Sequence, residues 1–410
     1  MSNSPWHIFE RFGLELEYMI VSRETQKVMP RADAVLGKDE KGENLSDVEH
    51  GEVGLSNELV SHVLEMKCAE PASCFSGWSE CFHHEILEAN KKLESIGAEL
   101  LPTAAHPFMD PLTETQIWPY ECNDIYEAYN RIFDCRGHGW ANLQSTHLNI
   151  SFHGDEEFGI LHAGIRLLLP LIPAIAASSP YLDSHFTGYK DVRIETYRHN
   201  QEKIPSITGK VIPEAVFTEA DYNRQIFERI KKDIAPFDKE KLLNHFFLNS
   251  RGAIARFDRG AIEIRLVDIQ ECPAADVAIA EFEMAILKSL AKGVFASQME
   301  QREIGTDELA KILEATVREA EDANIDNARY LRLFGVQAES IRASALLAEL
   351  FEKVQSEISA DSQKILRKIL NRGTLASTIL RKLGDSPRHE DFVTEYARLA
   401  HCLSANTLYE

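Results

Sequence analysis

The chain has 410 residues, 44% hydrophobic and 27% charged, enough apolar material for one large or two ordinary domains with a buried core. A formal charge of −21 argues against a nucleic-acid partner and requires that any anionic ligand be met by arginines or metal ions that reverse the field locally. The seven cysteines include no CxxC pair and read as reduced thiols of a cytoplasmic protein.

MSNSPWHIFERF at the start lacks the basic and apolar pattern of a signal sequence. LELEYMIV (14–21) reads as a strand that alternates and then turns apolar. A polar loop from Gly37 to Glu52 follows, then a second strand over 59–66 with Glu65 near its end. The pattern next predicts a helix over 76–96 stopped by Gly97, a strand in GAELLPTAAHPF turning at His106-Pro107, and a helix over 121–135. QSTHLNISFHG (144–154) alternates as a strand. An apolar helix is read over 159–177; the greasiest segment, Leu167 to Ala177, is interrupted by Pro170 and Pro173 and is about half the ~20 residues of a spanning segment, so no membrane is expected. The stretch 178–213, rich in Pro and Gly, exceeds ordinary loop length and is read as a substrate-binding loop or lid. GAIARFDRGAIEIRLVDIQ (252–270) reads as a hairpin turning at Asp258-Arg259-Gly260. After Pro273 an Ala-rich helix (275–292) carries Glu281 and Glu283 on its expected polar side, and helices near 307–323, 338–358 and 386–405 follow. The expectation is an α+β catalytic domain over 1–275 and a helical portion over 276–410 that serves as scaffold or interface.

Four short patterns can carry chemistry. Residues i and i+2 of a strand share a face, so Glu15 and Glu17 stand side by side. Two carboxylates ~5 Å apart repel by about 3 kcal/mol at an effective dielectric of ~20, which a cation or a shared proton must offset. Glu263 and Arg265 share a face in AIEIRLVD, and a carboxylate beside a guanidinium suits Mg²⁺ together with phosphate. His147, Asn149 and Ser151 share a third face. Glu58 and Glu65 are separated by an odd number, so they converge only if Glu58 lies in the preceding loop or a bulge intervenes. Taken singly, each pattern is matched by a bland reading: a chance ExE, a cross-strand ion pair, a satisfied core histidine. Together they offer six oxygen or nitrogen ligands rich in Glu and poor in Cys, which suits Mg²⁺ or Mn²⁺ rather than zinc. No GxxxxGK[ST] or GxGxxG motif is present, so a nucleotide's phosphates would be held by metals and by arginines such as Arg193, Arg198, Arg251, Arg256 and Arg259.

The order ELE, a strand ending in LE, HxN, then EIR, together with AAHPF and SPYLDSHFTGYKDVR, resembles the glutamate–cysteine ligases and related carboxylate–amine ligases over residues 10–275. More distantly it is similar to glutamine synthetase. The resemblance implies a glutamine synthetase-like domain whose mostly antiparallel curved sheet presents an open, metal-lined face. It implies that Glu15, His147 and Glu263 hold the ion bridging the ATP phosphates, and that Glu17, Glu58 and Glu65 hold the ion nearer the acceptor carboxylate. Two or three Mg²⁺ (or Mn²⁺) ions would serve each site. Arg265 would sit against the transferred phosphoryl group with Glu263 beside it, Arg256 and Asn149 would contribute to ATP binding, and Arg193 and Arg198 would clamp substrate. The implied activity is ATP-dependent amide formation through an acyl phosphate, with small-molecule partners (an amino-acid carboxylate, an amine, ATP) and a homo-oligomer left open. A guanidino phosphotransferase and a non-catalytic ATP or amino-acid sensor are the alternatives on the same fold.

Overall fold

The computed structural model describes residues 6–410; the first five residues of the segment read as lacking a signal sequence lie outside the described residues. Ten strands carry the architecture. They are β1 (Phe12–Ser22), β2 (Asp47–His50), β3 (Val53–Asn57), β4 (Val63–Cys68), β5 (Ala98–Leu101), β6 (Ser145–Ser151), β7 (Tyr181–Leu182), β8 (His185–Phe186), β9 (Ala253–Arg256) and β10 (Ala261–Asp268). Eight of them form one sheet in the order β2-β3-β4-β1-β6-β10-β9, with β5 also pairing β1. Every pairing within it is antiparallel. The fold is α+β, and the sheet is open.

The alternation in β1 decides which side is core. Leu14, Leu16, Tyr18 and Ile20 point to one face, joined by Leu64 and Met66, Leu148 and Ile150, and Ile262 and Ile264 from the neighbouring strands, all fully buried. Burying each such side chain is worth about 1.5–3 kcal/mol. The helices Trp78–Glu94, Gly154–Leu168 and Pro273–Ala291 share this core, and the last packs against both others. The opposite face is divided. Glu15 and Glu17 lie on its near half, whereas Met19 and Val21 join a second apolar cluster with Val63, Leu101, Phe392, Tyr396 and Leu399. The change to apolar sequence in LELEYMIV thus marks where the C-terminal helix His389–Ala405 closes one end of the polar face.

Several expectations are corrected. The polar stretch 37–52 contains β2, whose Asp47–His50 pairs with β3 across the positive-φ turn at Gly51. The apolar helix starts earlier, at Gly154, and its prolines break it into a 3₁₀ turn (Leu169–Leu171) and a short helix (Pro173–Ala176). The segment 178–213 is not one loop; it holds the β7–β8 pair and the helix Val192–His199. Glu281 and Glu283 are both buried, because Pro273–Ala291 packs between neighbouring helices over most of its length and is only partly solvated at its C-terminal turn. Among the described residues no helix is long and apolar enough to cross a membrane.

Candidate active site

Register assembles the polar face. Glu17 stands directly opposite Glu65, Glu15 is paired with Lys67 on one side and His147 on the other, and Glu263 is opposite Asn149. Each of these residues is separated from the next on its own strand by two, so the period-2 rule aims them all at one space. A register shift between Ile264 and Val267 interrupts β10 just after Arg265. Bulges of this kind bend a strand and re-aim its side chains, and they recur beside active sites. The odd spacing of Glu58 and Glu65 resolves simply. Glu58 follows the end of β3, while Glu65 lies in the adjacent β4 opposite Ser56.

The face floors a cavity of about 550 Å³. Glu15, Glu17, Glu58, Glu65, His147, Arg193, Arg256, Glu263 and Arg265 all line it. One ligand atom from each of Glu15, His147 and Glu263 lies within 4.8 Å of the others. His147 Nδ1 is 2.9 Å from Glu15 Oε2 and 3.9 Å from Glu263 Oε1. Its Nε2 lies 2.8 Å from Ser145 Oγ, and the Ser145 hydroxyl and backbone N–H donate to Glu17 Oε2 at 3.0 and 2.6 Å. Burial, then the charge of Arg265, lowers the His147 pKa, so the imidazole is neutral. A relay from Nε2–H to Ser145 Oγ to Glu17 satisfies all three groups. The tautomer inferred from these bonds leaves the Nδ1 lone pair facing the Glu15 and Glu263 carboxylates. Lone pairs confronting each other at this range require a cation or a proton between them.

The electrostatics agree. Burial, reinforced by the Glu263 charge, raises the Glu15 carboxyl to about 7. Burial followed by the Glu17 and Glu65 charges pushes Glu58 well above the carboxylate range, and burial with Glu15 raises Glu65. Burial pushes Glu263 up as well, but Arg265, then His147, Arg256 and Arg259, outweigh it and hold the carboxyl below its ordinary value. Arg265 Nε is 3.2 Å from Glu263 Oε1. Five crowded carboxylates, three of them with raised pKa values, and a neutral imidazole presenting a lone pair form a donor set that fits a hard divalent cation.

Other sequence candidates fall differently. Asn149 donates to Glu15 Oε1 at 2.9 Å and lines a second cavity of about 420 Å³, bounded also by Trp6, Arg11, Ser151 and Gly260. Glu15, Lys67 and Arg259 line both cavities, so the two spaces adjoin along the Glu15 edge. Arg256 reaches Asp258 with two nitrogens, at 3.1 and 3.2 Å, and stacks over Phe247. Arg193 lines the cavity but is already engaged. Its guanidinium is buried in an ion pair with Asp268 and reaches the Arg265 carbonyl at 3.3 and 3.4 Å, so it braces the bulge. Arg198 lies outside the cavity, turned to Glu195 and Glu314 at 3.0 and 2.7 Å. Three partners were passed over in the sequence. Ser145 is two residues before His147, and Lys67 two after Glu65, so the parity that found the acids also marks them. Lys67 Nζ is 3.5 Å from Glu65 and 2.6 Å from Asp47, and Ser56 donates to Glu65 at 2.8 Å.

The open antiparallel sheet with helices behind it is a fold shared with solved ligases. A glutamate–cysteine ligase from Francisella tularensis, solved in complex with AMP, superposes with a TM-score of 0.59 at 12% identity, covering 98% of this chain and 90% of that one. A bifunctional glutathione synthetase from Pasteurella multocida superposes with a TM-score of 0.60 at 14% identity, covering 97% of this chain and 53% of that one. The chain belongs to Glutamate-cysteine ligase family 2 (GCS2), whose model matches residues 11–397. An uncharacterized protein of Archaeoglobus fulgidus is 30% identical over 403 residues, 97% of this chain and 99% of its own length. Family and fold together place the chain in the ligase class.

Proposed function

We propose that this chain is an ATP- and Mg²⁺-dependent carbon–nitrogen ligase that activates a glutamate-type carboxylate as an acyl phosphate and transfers the acyl group to an amine. The observation that carries the reading is the convergence of Glu15, His147 and Glu263 within 4.8 Å, with Arg265 beside Glu263. Family membership and the AMP complex of the Francisella protein support a nucleotide substrate.

Glu15, His147 Nδ1 and Glu263 would hold one ion, and Glu17, Glu58 and Glu65 a second. Bound there, divalent cations supply charge neutralisation between two anions that must approach, the carboxylate and the γ-phosphate. The second cavity, with Arg11, Lys67 and Arg259 at its edges, offers room for the rest of the nucleotide next to Glu15. Arg265 points its planar fork at the transferring phosphoryl group. The carboxylate oxygen attacks the γ-phosphorus and ADP leaves; the amine lone pair then attacks the acyl carbon, phosphate leaves and a proton is released. The walls from Asn123–Phe133, His138–Ala141 and Val192–His199 restrict water, which would otherwise hydrolyse the acyl phosphate.

The test is phosphate release from Mg-ATP by purified protein. A ligase releases phosphate in proportion to amide only when acid and amine are both present. Glu263→Gln should abolish release with the fold intact by circular dichroism. A guanidino phosphotransferase would instead form ADP and a phosphorylated guanidine without free phosphate, and near-normal turnover of the variant would remove the metal assignment.

A further inference from the structure

The family's name supplies cysteine as the amine, an amino acid whose carboxylate needs a cation. The cavity's inner end is built otherwise. Beyond Glu17 and Glu58 it is walled by Ile125, Tyr126 and Tyr129 from Asn123–Phe133, by Trp140 and Leu143, and by Tyr197. The Tyr129 and Trp140 rings are 5.4 Å apart and tilted, and Tyr126 accepts from Asn57 at 3.1 Å; burial, then the Glu58 charge, raises its hydroxyl pKa. The wall is aromatic and apolar; the charge that acts most on Tyr126 is Glu58, whereas Tyr129 and Tyr197 feel Arg265.

Most of the cations lining the cavity are already engaged by carboxylates of the chain. Among the described residues the lining cations are Lys67, Arg193, Arg256, Arg259 and Arg265. Lys67 is held by Asp47 and Glu65, Arg193 by Asp268 and Arg256 by Asp258. Lys67 and Arg259 also border the second cavity, at the Glu15 edge, and Arg259 comes no nearer than 4.0 Å to Asp258. Arg265 is the cation felt by Tyr129 and Tyr197, and it is committed to Glu263 and to the acid being activated.

We propose that the amine accepted here carries no carboxylate and bears an aromatic or apolar group, an arylalkylamine being the simplest case. The inference rests on the ligase reading and deepens it by naming the acceptor class. An ammonium group approaching the inner end is attracted by Glu58 and Glu65 and by the faces of the tyrosines, and its apolar group packs on Trp140 and Tyr129. An α-carboxylate carried on the same molecule would be desolvated against that wall beside Glu58 and Glu65, while the one lightly held guanidinium, Arg259, also borders the second cavity at the Glu15 edge.

The experiment uses the full chain with Mg-ATP and glutamate, and compares amines in pairs that differ only by the carboxylate: phenethylamine against phenylalanine, and cysteamine against cysteine. Hydroxylamine, small enough to ignore the wall, serves as the acceptor that reports acyl-phosphate formation as a hydroxamate. The expected result is hydroxamate formation and a kcat/KM at least about tenfold higher for the carboxylate-free member of each pair, the factor set by one unpaired buried charge. Hydroxamate formation with equal or better use of the amino acids, or with use of none of the four amines, overturns the inference alone. Failure to form hydroxamate overturns the ligase reading, and this inference with it.

Discussion

Ser145 shows how much of this site depends on groups that never touch substrate. Its hydroxyl links His147 Nε2 to Glu17, fixing which imidazole nitrogen offers a lone pair to the Glu15–Glu263 space. Removing a partner that orients a metal-binding histidine typically costs 10–100-fold in metal affinity. Ser145→Ala should therefore weaken Mn²⁺ binding by about that factor, read by titration of the protein's melting temperature, while turnover at saturating metal changes far less. Unaltered affinity would show that the tautomer is not set by this bond. Arg265 makes a different demand. Lysine keeps the charge but loses the planar fork, so Arg265→Lys should lower kcat by on the order of a hundredfold with little change in the KM for ATP. A rate close to that of the parent would place the guanidinium away from the phosphoryl group.

At the level of elements, strand parity and antiparallel register explain why the acids were legible in sequence and other groups were not. Glu15, Glu17, His147, Glu263 and Arg265 obey a period of two within single strands, which any reader of the chain can apply. Glu58 was legible only as a puzzle, because its partner lies on the next strand and pairing is not written in either segment. β2 and β3 escaped because strands of four and five residues carry too little periodicity to register. A sequence does not show the carboxylates that pair with Arg193 and Arg198, Asp268 and Glu314, because they come from distant segments. The aromatic wall was invisible for the same reason: Tyr126, Trp140 and Tyr197 come together only through tertiary packing.

The helix Pro273–Ala291 provides a prediction at the same scale. Both carboxylate oxygens of Glu283 lack a hydrogen-bond partner, and burial pushes its carboxyl up to about 8. The folded value exceeds the unfolded one, so the native state holds this proton more tightly. The stabilisation it gives is complete below about pH 4 and is lost as the pH rises through about 8. Glu283→Gln removes that titration. Its stability relative to the parent should climb between about pH 5 and pH 8, by up to about 1.4 kcal/mol per pH unit. Urea denaturation at the two ends of the range measures it, and a gap independent of pH would mean that Glu283 is ionised in the native protein.

For the whole molecule, the sheet is a device for concentrating negative charge. One face supplies the core that makes the fold, and the other carries Glu15, Glu17, Glu65 and Glu263 side by side, in a chain that is already net acidic. The repulsion is stable only because helices behind the sheet and the C-terminal helix at its end hold the strands in register. A cation that binds the folded face and not the unfolded chain stabilises by about 2.7 kcal/mol at roughly a hundred times its Kd. Mg²⁺ or Mn²⁺ should accordingly raise the melting temperature, EDTA should reverse the gain, and a Glu15→Gln, Glu263→Gln double variant should show none. An equal shift in the double variant would locate the ions elsewhere.

The most direct test of the chemistry follows an oxygen atom. Glutamate labelled with ¹⁸O in its carboxylates is incubated with the protein, Mg-ATP and hydroxylamine, and the released phosphate is examined by mass spectrometry. Activation through an acyl phosphate predicts that each phosphate carries one labelled oxygen taken from the acid. Phosphate released without label would contradict the account.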